Sequence, residues 1–180
     1  MEIVLYIVGG LVAILVLAGL IAYILGRSAP ENHVIIGELT LKASPERAFE
    51  AFDQIEHYPK WTRFKSVERL PPEGGKERWN FREGRNSFVI TVRTSEAPRL
   101  IRHEIADVAG TFSGSWDVSF SPTPAGGTRI ILTENGKIVG AIPRFFMKYV
   151  MDAGMYVRQH LASLAKHLDD DATPVVKRTV

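Results

Sequence analysis

His103 is the ionisable side chain whose setting best suits chemistry. In the run Arg99–Asp107, Ile101, His103 and Ile105 alternate with Arg102 and Glu104. A period of two therefore turns the imidazole toward the apolar side of a strand. An imidazole placed there can donate a hydrogen bond to a ligand carbonyl or exchange a proton near neutral pH. Acid–base catalysis needs at least two convergent polar groups. Glu83 and Glu134 also fall where strand register allows an inward carboxylate, but neither is fixed beside His103. A neutral, hydrogen-bonded histidine at a strand end is the more frequent outcome for such a position. No catalytic residue is assigned, and His103 stands as the one candidate.

Other chemistries lack their residues. The chain has no Cys, which removes disulfides, thiolate metal sites and thiol nucleophiles. It has no Gly-rich phosphate loop, GxSxG elbow, HExxH pair or EF-hand loop. His160 and His167 are seven residues apart, about 10 Å along a helix and too far to share an ion. Neither a metal nor a cofactor is expected. A formal net charge of +2, without a basic stripe, gives no case for nucleic acid.

The elements that must position His103 follow from hydropathy. Ile3 to Leu25 carries no charge, Asn or Gln; three of its residues are Gly and the rest are apolar. As a helix it is roughly 35 Å long against about 30 Å of hydrocarbon. Tyr6 and Tyr23 sit near its ends, where amphipathic rings favour the lipid boundary. A cleaved signal peptide has a basic start and a shorter apolar core, whereas this run follows Met1-Glu2. Residues 1–26 are therefore read as an uncleaved transmembrane anchor and 27–32 as a linker. Gly9/Ala13 and Ala18/Ala22/Gly26 have the small-xxx-small spacing that allows helix dimerisation. Arg27 and Lys42 follow the span while Glu2 precedes it, so positive-inside bias puts the rest of the chain in the cytoplasm, on a bacterial inner membrane.

Beyond the anchor, His33–Leu41 reads as a strand. Ser44-Pro45-Glu46 opens a helix bearing Ala48, Phe49 and Phe52, and a second short piece ends near His57-Tyr58-Pro59. Alternating strands follow over Lys76–Arg82, Asn86–Ser95, Arg99–Asp107, Thr111–Ser121 and Gly127–Lys137, separated by Gly- and Pro-rich turns. The period then changes. From Pro143 to about Leu168, apolar residues Phe146, Val150, Ala153, Val157, Leu161, Leu164 and Leu168 recur every three or four positions. One long helix is expected there, with Met151 and Met155 on a second stripe. Residues 169–180 read as a flexible tail. A sheet with one apolar face and a helix with one apolar stripe bury each other best when the sheet curls around the helix.

Several local words in this order resemble the START/birch-pollen-allergen (SRPBCC) superfamily, in particular its polyketide cyclase/dehydrase and lipid transport branch. They are Ala43-Ser44-Pro45-Glu46 with Ala48-Phe49; His57-Tyr58-Pro59-Lys60-Trp61; Gly114-Ser115-Trp116 leading to Phe120-Ser121-Pro122; and Gly126-Gly127-Thr128-Arg129 leading to Thr133-Glu134. With the closing helix they cover residues 33–168. The resemblance implies an α+β helix-grip fold: a curved antiparallel sheet of about seven strands around a long C-terminal helix, here preceded by a single transmembrane helix. It also implies an apolar cavity between sheet and helix, holding a lipid, isoprenoid quinone or similar molecule. Trp79, Phe81, Phe88, Ile90, Ile101, His103, Phe112, Trp116, Val118, Met151 and Met155 are the expected lining. In that fold the segment Ile138 to Phe146 lies near the cavity mouth, a place from which it could face the membrane and admit a lipid. Tyr58 and Trp61 are expected to pack inside rather than touch lipid. The expected function is a membrane-anchored binding or transfer module for an apolar small molecule. A cyclase/dehydrase using His103 and a structural subunit of a membrane complex are the alternatives.

Overall fold

The computed structural model describes residues 2–84 and 86–179. The chain forms two compact units, one made of the stretch through Glu31 with Ile138–Asp152, the other of Asn32–Lys137 with the chain from Ala153 onward.

The first unit contains helix α1 (Glu2–Arg27), which is long and apolar enough to cross a membrane. It also contains α4 (Ala141–Tyr149). The residues that follow α1 are bonded to α4 and to the segment before it. The Ile138 amide donates to the Glu31 carbonyl at 2.8 Å. Arg144 Nη1 donates to the Ala29 carbonyl at 3.3 Å and to Glu31 Oε1 at 3.2 Å.

The second unit is a sheet of eight strands in the order β2-β3-β4-β5-β6-β7-β1-β8. The strands are β1 (Asn32–Leu41), β2 (Ser66–Glu73), β3 (Lys76–Glu83), β4 (Asn86–Glu96), β5 (Leu100–Asp107), β6 (Phe112–Pro122), β7 (Thr128–Ile138) and β8 (Val175–Thr179). Helix α2 (Pro45–Asp53), a 3-10 turn (Ile55–His57), α3 (Tyr58–Trp61) and α5 (Met155–His167) complete it. The neighbouring pairs β1–β7, β1–β8, β2–β3, β3–β4, β4–β5 and β5–β6 all run antiparallel.

Local chemistry explains these elements. Ser44 caps α2, its hydroxyl accepting from the Arg47 amide at 3.5 Å, and Pro45 occupies the first turn where no amide partner is needed. Phe49 and Phe52 then meet Phe120 edge-on at 5.5 and 5.6 Å. The Tyr58 hydroxyl donates to the Phe52 carbonyl at 2.8 Å, closing the end of α2. Burial pushes that phenol's pKa well above its ordinary value, so it remains a donor. Gly74 and Gly75, both at positive φ, make the two-residue turn joining β2 to β3.

The fold agrees with the expected helix grip, and four details of the sequence reading are corrected. The long helix over Pro143 to Leu168 is two helices. Val150 closes α4, its amide donating to the Phe146 carbonyl at 3.0 Å, and Gly154 opens α5, where the Arg158 amide donates to the Gly154 carbonyl at 2.9 Å. A β-branched Val, an Asp and a Gly within five residues are poor helix formers, and the apolar spacing carried across them hid the break. The sheet has eight strands rather than about seven. Strand β2 escaped notice because it holds Pro71 and Pro72; as an edge strand with a register shift between Leu70 and Glu73, it tolerates missing donors.

The fourth correction concerns the flexible tail over 169–180, whose last part is strand β8, antiparallel to β1 with Val176 opposite Gly37. Asp170 directs the chain there. Its carboxylate accepts from the Lys42 amide at 2.7 Å and from the Ala172 amide at 3.1 Å. Those donors hold the carboxyl below its usual range.

Helix α5 lies against the apolar face of the sheet. Val157, Leu161 and Leu164 have no exposed surface. Opposite them β1 carries Gly37, where a Cβ would come within 2.5 Å of Val157 Cγ1 and 2.7 Å of Leu161 Cδ1. A side chain at that point would have to displace those two buried methyl groups.

Candidate functional site: a buried imidazole in an aromatic cage

The region between α5 and the sheet is crowded with rings. Ile55, Tyr58, Trp79, Phe81, Ile90 and Ile105 form its buried base, and Trp61, Phe64, Val67, Phe88, Val92, Phe112 and Trp116 pack on it half-buried. Into this cluster α5 inserts His160. Ring centroids lie at 5.0 Å from Trp116, 5.1 Å from Trp61, 5.2 Å from Phe52, 5.5 Å from Tyr58 and 6.5 Å from Phe64. The residue is 5 % exposed, and its Nε2 has no hydrogen-bond partner among the described residues. The indole N–H groups of Trp61 and Trp79 are likewise buried and unpartnered. Three buried polar atoms without a protein partner in one aromatic cluster are contacts that a ligand's polar atoms can use.

His103 points inward as alternation predicts and is 3 % exposed. Cross-strand register puts it opposite Val92 on β4 and Trp116 on β6. Loss of hydration lowers its pKa to about 4, with Asp53 opposing the shift. For His160 burial acts first, and His103 and Arg63 add to it, lowering the value to about 3. Both imidazoles are therefore neutral at physiological pH, each with one nitrogen bearing a proton and one free to accept.

A second polar group borders the cage. Glu134 is buried; its Oε2 accepts from Trp116 Nε1 at 2.7 Å, and its Oε1 lies 3.1 Å from His33 Nε2. This carboxylate fixes the plane of the Trp116 ring, which in turn packs on His160. Gly136 leaves room for the His33 ring, which a Cβ there would overlap. Glu83, the other carboxylate considered for the interior, is half-buried and pairs with Arg63 at 3.0 Å. Arg63 also donates to Gln159 at 2.6 Å and lies 4.1 Å over the Tyr156 ring. It thereby ties the segment after α3 to the face of α5 beside His160.

The predicted lining residues divide by exposure. Trp79, Phe81, Phe88, Ile90, Phe112 and Trp116 belong to one aromatic cluster, and His103 faces Trp116. Ile101 and Val118 are partners across β5 and β6, but they and Phe81 have no exposed surface, so in this conformation they offer a ligand nothing to touch. Met155 is half-buried at the start of α5. Met151 is corrected: with the helix broken it falls outside α5 and is 41 % exposed. Tyr58 and Trp61 pack into the cluster as expected.

His160 was missed as a site residue. Its signal was present, because it sits three residues after Val157 and four before Leu164 on the apolar stripe of the helix. A groove of about 630 Å³ lies elsewhere, on the outer face of the sheet among Arg78, Thr91, Glu104, Ser115 and Asn135. Its open, charged lining does not suit an apolar molecule.

A curved antiparallel sheet closed by a C-terminal helix over an aromatic interior defines a protein of the START-like, helix-grip class. The chain belongs to the polyketide cyclase / dehydrase and lipid transport family, whose model matches residues 35–169. Solved structures agree at the level of fold. An aromatase/cyclase, ZhuI, from Streptomyces sp. R1128 superposes with a TM-score of 0.63 at 14 % identity, covering 77 % of this chain and 94 % of its own. A conserved protein from Geobacillus kaustophilus gives 0.61 at 14 % identity, with 78 % and 98 % covered. A START superfamily protein from Mycobacterium smegmatis gives 0.58 at 14 % identity, with 76 % and 97 % covered. No curated protein sequence matches the chain.

Proposed function

We propose that the chain binds an apolar small molecule bearing at least one polar group, such as a lipid or an isoprenoid quinone, between α5 and the sheet. In this reading α1 holds the module in a membrane, on the cytoplasmic side of a bacterial inner membrane, beside the ligand's own reservoir. The observation that carries it is the His160 imidazole, buried in an aromatic cage with an unpartnered nitrogen. Rings supply apolar contact area at about 25 cal/mol per Å² before the costs of binding. Neutral imidazole and indole N–H groups supply the few polar contacts that orient a carbonyl or hydroxyl. Tethering raises the effective ligand concentration at the site.

The alternative is chemistry of the cyclase/dehydrase kind, for which His103 and His160 provide two neighbouring imidazoles. With pKa values near 4 and 3 they are unprotonated at neutral pH but weak bases, poorly matched to proton abstraction there. Binding without turnover is the better fit.

The test is a titration of the full chain in detergent with decylubiquinone, read through quenching of Trp61, Trp79 and Trp116, alongside mass spectrometry of organic extracts of the purified protein. Saturable quenching that weakens at least tenfold in His160→Phe, or a single enriched apolar species in the extract, supports the proposal. No saturable quenching, together with an extract matching bulk membrane lipid, refutes it.

A further inference from the structure

We propose that α4 and its flanks, Val139 to Met151, form an interfacial helix that lies in the headgroup layer of an anionic bilayer, so that the chain meets the membrane through two elements. The proposal rests on reading α1 as a membrane span and goes beyond it. Its first support is the join between the two helices. Gly26, one residue past the apolar run, packs backbone to backbone against Ala141, and a Cβ at Gly26 would overlap the Ala141 carbonyl oxygen. Arg144, one turn into α4, is 14 % exposed and bonds to Ala29 and Glu31. The N-terminal half of α4 is thus fastened to the last turn of α1 and the residues after it. When α1 spans a bilayer, Tyr23 and Arg27 mark where it leaves the hydrocarbon, and α4 starts at that depth.

The second support is what α4 leaves uncovered. Ile142, Phe146 and Tyr149 follow one another at spacings of four and three, which puts them on one helical face. They are 39 %, 45 % and 49 % exposed, and Val139, Val150 and Met151 continue the surface at 48 %, 60 % and 41 %. Six large apolar residues exposed within thirteen positions are an aggregation hazard in water. Against lipid they are an anchor.

The third support is charge. From Val139 to Met151 there is no Asp or Glu; Arg144 is spent on Glu31, which leaves Lys148 as the cation this stretch turns to a surface. Lys148 lies 5.1 Å from the Tyr149 ring, with its ammonium beside a residue type that favours the boundary. Apolar and aromatic side chains on one face, with a lysine among them and no acid in the stretch, suit an anionic lipid surface.

The absence of cysteine makes a direct test clean. Single-cysteine variants Phe146→Cys and Val150→Cys of the full chain carry a nitroxide in vesicles of phosphatidylcholine and phosphatidylglycerol. Leu15→Cys in mid-span and Glu68→Cys on exposed β2 serve as references. Collision with oxygen is compared with collision with a water-soluble nickel chelate. Labels at 146 and 150 are expected to favour oxygen, less strongly than at 15 and with the opposite sign from 68. A lipid-like value at 15 with water-like values at 146 and 150 overturns the interfacial helix and leaves the span intact. Low collision with both reagents at 146 and 150, the sign of a protein partner or a second copy, also overturns it. A water-like value at 15 removes the span and this inference with it.

Discussion

The imidazole of His160 stands edge-on to the indole of Trp116, centroids 5.0 Å apart, and Glu134 accepts the indole proton at 2.7 Å. One residue comes from the last helix and the other from the middle of the sheet, so this contact joins the grip's two halves. The indole is satisfied and fixed, whereas the imidazole's Nε2 has no partner among the described residues. On the binding proposed above, a fixed indole beside this imidazole would help to orient a guest molecule.

Replacing His160 with Phe keeps a ring in the cage and removes the orphaned nitrogen. An unsatisfied buried polar group costs about 1–3 kcal/mol. The empty His160→Phe protein is therefore expected to be more stable by a value in that range, while its affinity for a carbonyl-bearing ligand falls. Urea melts with and without decylubiquinone check both effects. Lower stability of the variant without ligand would contradict the assignment.

Acid should weaken the fold before carboxylates titrate. His103 and His160 have folded pKa values of about 4 and 3, below the roughly 6.5 of an unfolded histidine. Between those limits the unfolded chain binds protons that the folded chain does not, so stability falls as pH falls. Each histidine contributes a loss of roughly 2 kcal/mol at about pH 5 relative to neutral. The loss levels off only once the folded form is protonated. Denaturation midpoints followed from about pH 7 downward should show this slope, reduced by about half in His160→Phe.

Glu134→Ala should cost about 3 kcal/mol, because it leaves both the Trp116 indole and the His33 ring without their buried partner. Glu134→Gln retains an oxygen able to accept from the indole, and its loss should be smaller. Thermal melts rank the two variants, and Trp fluorescence reports whether the Trp116 ring has shifted. Equal melting temperatures for wild type and Glu134→Ala would remove Glu134 from this structural role.

Gly37→Ala places a methyl within 2.5 Å of Val157 Cγ1 and 2.7 Å of Leu161 Cδ1, at residues with no exposed surface. Overpacking of this kind costs about 1–3 kcal/mol. The partial relief expected is specific: Val157→Ala in the same chain should recover part of the loss, although alone it destabilises. A double-mutant cycle by urea melts measures the coupling, and additive effects would refute the contact.

Legibility in the sequence followed the range of the interactions involved. Strands β3 to β7 were readable because alternation such as Phe112, Trp116, Phe120 is a property of a few adjacent residues. The inward direction of His103 came from the same rule. Strand β8 was not readable: Val175 and Val176 form a strand because Asp170 turns the chain onto the free edge of β1 and reaches the Lys42 amide. His160 was readable as to face but not as to role. Its neighbours Phe52, Tyr58, Trp61, Phe64 and Trp116 come from other elements, and only their convergence turns a stripe histidine into a caged one.

By itself, then, the sequence determined the apolar N-terminal helix, the antiparallel sheet with one greasy side and the family of the fold, since side-chain periodicity is set by backbone geometry within each element. Tertiary structure alone decided where the last helix breaks, that the C-terminus pairs as an edge strand, and which polar atoms remain unbonded inside. Those depend on pairings between residues far apart in the chain, which local pattern does not encode.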